Sequence, residues 1–216
     1  MACQILVEAD ATGRLAELGL SVELIERVIR RADADAAMCT PLDPPIMEGL
    51  TRWGRANRYL REELVLAGWR FDNPRNLPRT IHPSGEFAIV AMTGDDLTGL
   101  AGFQPATKYP KGFATARAVE INGQLMLDFD DDFDSGRDDG ETAHLNLRTW
   151  IMLFHGDEDG LRAEVALPDG IADGRITSWA ERIILPLFPR DEDRLAAVLP
   201  SGSGDEEPVV VAVSRR

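Results

Sequence analysis

The sequence predicts an α+β protein in which N-terminal helices pack on a mainly antiparallel β-sheet built from hairpins. Three observations predict it. Helical periodicity occupies the first third of the 216 residues, the period changes to strand-like runs from Trp69 onward, and those runs are joined by short turns. Long helical crossovers, which parallel strands require, are not evident. On this reading residues 1–72 are a helical part and residues 73–216 a β-rich part, continuous with it as one domain. A 44% apolar content is ordinary for a chain that buries a core.

Ser21 reads as the N-cap of the first clear helix. Val22, Leu24, Ile25, Val28, Ile29 and Ala32 recur at helical spacing against Glu23, Glu26, Arg27, Arg30 and Arg31, so this helix should reach about Ala37. Thr40-Pro41-Leu42-Asp43-Pro44-Pro45 ends it, because proline lacks the N–H and drives the preceding residue out of the helical region. A second helix is expected from about Pro45. Its core face is Ile46, Leu50, Trp53, Asn57, Leu60 and Leu64, with Gly68 in the left-handed position beyond its end. Asn57 is the one polar member of that face.

Glu86 to Met92 is a short β-rich run bounded by Pro83-Ser84-Gly85 and Thr93-Gly94-Asp95-Asp96, which predicts a buried strand. Ala116 to Ile121 and Gln124 to Phe129 flank Asn122-Gly123, and a hairpin with a two-residue turn is expected there. A second hairpin should pair Thr149 to Phe154 with Leu161 to Leu167 across His155 to Gly160. Trp150 to Phe154 is apolar on both faces, the pattern of a central strand. Ile176, Trp179, Ile183, Ile184 and Leu185 belong to one or two further elements of unsettled type, and Val209 to Val213 reads as a closing strand.

No basic leader precedes the broken apolar run Met1 to Glu8, and no stretch of about 18 apolar residues occurs, so neither a signal peptide nor a spanning helix is expected. This favours a soluble, cytoplasmic protein with reduced thiols at Cys3 and Cys39. The net charge is −14 and is unevenly spread. Seven arginines between Leu50 and His82 face three acids, while the rest of the chain holds 16 basic and 34 acidic residues. That field disfavours direct nucleic-acid binding, although a basic segment can still meet an anion once screening shortens the reach to about 8 Å.

Candidate chemistry is sparse. The only two lysines, Lys108 and Lys111, lie three residues apart, while arginine occurs twenty-one times. They are either a chance pair or groups whose role a planar guanidinium cannot fill. Arg52, Arg55, Arg58 and Arg61 step around half of the second helix, to be solvated and paired or to dock an acidic partner or phosphate. Asp95 and Asp96 follow a strand in a glycine-bounded turn, a layout for a divalent ion that activates water, or an ordinary Asx turn. Asp130, Asp132, Asp134 and Glu141 repeat the spacing of calcium-ligating positions, but Ser135 replaces the glycine of that loop and the flanks read as strands. Calcium or magnesium could bind there, although no cofactor is expected. His82, His144 and His155 show no metal or nucleophile spacing.

The expectation is therefore a non-enzymatic binding or inhibitor-type protein with a segregated acidic surface, imitation of nucleic-acid charge being a special case, whose partner is another protein. The alternative is a metal-dependent hydrolase or phosphate-handling enzyme built on Asp95, Asp96 and Lys108 or Lys111. No membrane partner is expected, and oligomeric state is not legible.

Overall fold

A computed structural model describes residues 3–127 and 147–190. Its strands are β1 (Gln4–Leu6), β2 (Arg70–Asp72), β3 (Arg79–Ile81), β4 (Phe87–Thr93), β5 (Arg148–Asp157), β6 (Gly160–Ala172) and β7 (Arg175–Ile184). The helices are α1 (Glu8–Glu17), α2 (Val22–Ala36), α3 (Met47–Val65) and α4 (Phe113–Leu127). The strands form one seven-stranded sheet in the order β1-β7-β6-β5-β4-β3-β2. The α+β class holds, but the sheet is mixed instead of mainly antiparallel hairpins. β1 runs parallel to β7, and β4 runs parallel to β5.

The second parallel pair exists because the expected Asn122-Gly123 hairpin is a helix. Thr115, Ala118, Val119 and Asn122 are all buried, at spacings of three, one and three residues, which is one helical stripe. Two of its four members are polar, so an apolar count overlooks it. Asn122 bonds outward through its side chain: Nδ2 donates to the carbonyls of Thr149 at 2.9 Å and Pro168 at 3.0 Å, and Oδ1 accepts from the Thr149 N–H at 2.8 Å. Pro168 has no N–H to offer β5, and the β5–β6 ladder runs only from Ile151↔Ala166 onward. The Asn122 amide closes the gap that proline leaves.

Other elements follow the sequence closely. The Ser21 hydroxyl accepts the Leu24 N–H at 3.2 Å, satisfying a donor that the first turn of α2 would leave open. Gly68 has φ 85°, and the Trp69 N–H returns to the Leu64 carbonyl to finish α3. β5 is the fourth of seven strands, and its apolar centre is buried. The second expected hairpin forms with a tighter turn, since pairing continues through His155↔Arg162 to Asp157↔Gly160 and leaves only Glu158-Asp159 as the loop. The undecided segment around Ile176 to Ile184 is β7. Helix α1 and strands β1 to β3 add to the expected elements: three residues are too few to show a strand period, and α1 buries only Ala11 and Leu15. The Val209 to Val213 strand lies outside the described residues.

Each face of the sheet has its own core. Phe87, Ile89, Ala91, Trp150, Met152, Ala163 and Val165 meet α1, α2 and α3, whereas Val90, Met92, Ile151, Leu153 and Ala166 meet α4, Leu77, Ile176 and Trp179. Strand alternation thus fills both layers from β4, β5 and β6.

Candidate functional site

Helix α3 is longer than the sheet surface beneath it. Asn57 sits over β4, where its Nδ2 donates to the Ala91 carbonyl at 3.0 Å and its Oδ1 accepts the Ala91 N–H at 3.1 Å. Those backbone groups lie beyond the β3–β4 pairs Thr80↔Ile89 and Ile81↔Ala88. The Asn57 amide acts where a longer β3 would have continued, which explains a polar residue on an otherwise apolar face. N-terminal to Asn57, α3 continues past the end of β4. Ile46 and Leu50, expected in the core, are 73% and 49% exposed because no strand lies beneath them.

The space under this overhang is a groove of about 380 Å³ lined by Ile46, Gly49, Leu50, Trp53, Thr93, Tyr109 and Lys111. Its far wall, segment 107–111, is tied at both ends. Gly94 bridges Thr107, the Lys108 N–H donates to the Thr93 carbonyl at 3.0 Å, and the Lys111 N–H donates to the Gly174 carbonyl at 2.6 Å. The Thr107 hydroxyl also accepts the Ile176 N–H at 3.1 Å. Gly49 faces the Tyr109 hydroxyl across the groove, where a Cβ would make ordinary van der Waals contact with it at 3.6 Å. The wall is therefore positioned by backbone bonds to β4 and to the β6–β7 turn.

Lys111 is partly buried in this wall, and no carboxylate among the described residues pairs with it. Burial, reinforced by the nearby Arg175 guanidinium, lowers its pKa from 10.5 to about 8. An apolar groove holding one ammonium whose charge is disfavoured is the arrangement in which a ligand-binding or reactive group is sought.

The remaining candidates do not converge on this groove. Asp95 closes a turn: its carboxylate accepts the N–H groups of Leu97 at 3.2 Å and Ala106 at 2.9 Å. Asp96 and Lys108 are exposed, and the Lys108 Nζ lies 5.8 Å from the Tyr109 ring centroid. On α3, Arg52 pairs with Asp33 and Glu48 at 3.0 and 2.6 Å, Arg55 with Asp35 at 2.9 Å, and Arg58 with Glu62 at 2.7 Å. Arg61 donates to the Asp72 carbonyl at 2.9 Å and the Asn73 side chain at 2.8 Å. The arginine series mainly ties α3 to α2 and to the 70s segment. Among the described residues no group of three or more His, Cys, Asp or Glu could hold a metal ion. Asp130, Asp132, Asp134, Glu141 and His144 lie outside the described residues.

Two further polar sites organise the second face. Glu164 and Arg182 are buried together on β6 and β7 with a 2.5 Å contact, and they gather the Gly99 N–H and the Leu100 and Phe103 carbonyls. This pair fastens the 99–103 loop to the sheet, a role hinted at only by an acid inside an apolar strand. His155 lies 3.6 Å from Asp157, which also binds Arg162. His82 stacks on Phe87 with centroids 4.6 Å apart and packs against the edge of Trp69.

Compared with protein-family models, curated proteins and solved structures, the chain matches none. Among the described residues no helix is long and apolar enough to cross a membrane.

Proposed function

We propose that this chain is a protein-binding module whose groove between the N-terminal half of α3 and segment 107–111 receives an apolar, carboxylate-bearing segment of another protein. The observation that carries this reading is that Lys111, which has no carboxylate partner among the described residues, lines one groove with the exposed Ile46 and Leu50. An apolar segment would cover Ile46, Leu50, Trp53 and Tyr109, and its carboxylate would supply the counter-charge that Lys111 and Arg175 lack within the described residues. Most α3 arginines already have carboxylate partners, so they are poorer sites for an acidic partner. The overall charge of −14 opposes approach of an acid at long range, but screening within about 8 Å leaves the local ammonium in control inside the groove.

A photo-crosslinking side chain at Leu50, used in native host cells, tests the reading. A discrete protein adduct is expected, and Lys111→Glu should remove it while Arg58→Glu leaves it intact. An adduct that is indifferent to Lys111→Glu, or no adduct from a well-expressed chain, would defeat the proposal. The catalytic reading based on paired aspartates gains no support, because the Asp95 carboxylate is engaged by backbone donors and Asp96 does not line the groove.

A further inference from the structure

The paired aspartates and the α3 arginines have structural partners, but Lys111 still lacks an explanation for being lysine. We infer that Lys111 is a nucleophilic amine that condenses with the aldehyde or ketone group of an apolar ligand seated in the groove. This goes beyond the protein-docking reading and stands on the groove itself.

Three independent observations support it. Lys111 lines a groove of about 380 Å³, within the usual size range for small-molecule sites, with Trp53 and Tyr109 supplying aromatic surface. It has no carboxylate partner among the described residues, and its charged neighbour is Arg175, so its surroundings favour the uncharged form. A desolvated lysine beside another cation is an established way to make an amine nucleophilic at ordinary pH. Finally, twenty-one arginines and only two lysines occur in the chain, and imine formation is chemistry that a guanidinium cannot perform. Tyr109 is the other titratable side chain lining the groove; Asp95 and Asp96 do not line it.

The step balances without an oxidant or reductant. The Nζ lone pair adds to the carbonyl carbon and forms the C–N bond, and a proton passes from nitrogen to oxygen to give a carbinolamine. The former carbonyl oxygen then leaves as water with both original amine hydrogens, and the C=N bond remains. Thr93, Tyr109 and Trp53 are the other groove-lining residues with polar side-chain groups.

Lys108 provides an internal reference three residues away, exposed and lacking the groove. The full chain would be treated with benzaldehyde and cyanoborohydride, which reduces any imine to a stable adduct, and the modified peptides would be quantified by mass spectrometry. At pH 7 Lys111 should react about tenfold or more faster than Lys108, because each unit of lowered pKa exposes about ten times more free amine. Its rate should level off above pH about 8. With glycolaldehyde, a polar aldehyde, the Lys111 preference should fall severalfold. Leu50→Asp should slow Lys111 and leave Lys108 unchanged.

Equal rates at the two lysines would overturn the inference, as would a Lys111 rate still climbing at pH 10. The same preference for both aldehydes would overturn the claim of an apolar ligand. Because the measurement uses the isolated chain, failure of the crosslinking test would leave it untouched, and its failure would leave the docking proposal standing.

Discussion

At the scale of single residues, two asparagines do work that apolar patterning cannot anticipate. Asn57 and Asn122 each close both a donor and an acceptor of a neighbouring strand where the ladder stops. Replacing Asn57 by Ala strands the N–H and C=O of Ala91 in a buried site. A loss of about 2 to 4 kcal/mol is expected in urea unfolding, with an unchanged slope if the native state keeps its compactness. Lys111 has the opposite sign. Its pKa falls from 10.5 to about 8 on folding, so between those values the unfolded chain holds the proton more tightly than the folded one. Its contribution to stability is therefore least favourable below pH 8 and improves as pH rises to 10.5. Lys111→Met should have a higher melting temperature than the parent at pH 7, and the difference should shrink as pH rises from about 8 to 10.5. A difference that does not change with pH would show that the charge is not disfavoured in the groove.

At the scale of elements, α4 carries the largest departure from expectation. Asn122-Gly123 is a strong two-residue turn signal only when strands flank it, and here a helical stripe of Thr115, Ala118, Val119 and Asn122 prevails. Gly123 therefore lies inside a helix, with space around it: a Cβ would lie 3.9 Å from the Asp169 carbonyl oxygen. Gly123→Ala should stabilise the protein by about 0.5 to 1 kcal/mol, because a helical alanine loses less backbone freedom than glycine on folding. In a hairpin the same change would destabilise a position that requires positive φ, so the sign of the effect in thermal unfolding decides between the two structures. Helix α3 is the complementary case. Its period and its glycine stop were legible, but periodicity cannot tell where the surface beneath a helix ends, and the groove arises at that end.

At the scale of the molecule, a mixed sheet covered on both faces concentrates burial in β4, β5 and β6. Ala88, Ile89, Val90, Ala91, Met152, Leu153, Ala163, Val165 and Ala166 are fully buried, whereas edge strands β1 and β2 have three residues each and exposed positions. Native-state hydrogen exchange should find its slowest amides in β4 to β6, exchanging only through global opening, and distinctly faster amides in β1 and β2. Protection of β2 equal to that of β5 would contradict this ordering. The same arrangement places the candidate groove at the rim, where β4 ends and α3 continues.

Ser21, the α2 stripe, Gly68, the buried β4 run and the β5–β6 hairpin were determined by sequence alone, because each depends on contacts between residues close along the chain or on a period intrinsic to one element. The presence of an unusual lysine pair was equally legible. Tertiary structure decided that Asn122-Gly123 is helical, that β4 and β5 run parallel, that Asp95 closes a turn and that Lys111, not Lys108, lines the groove under α3. Those outcomes depend on what lies opposite each side chain: a proline that cannot complete a ladder, a strand that stops short of its helix and a guanidinium near a partly buried amine. Such neighbours are distant in sequence and adjacent in space, and local pattern carries no record of them.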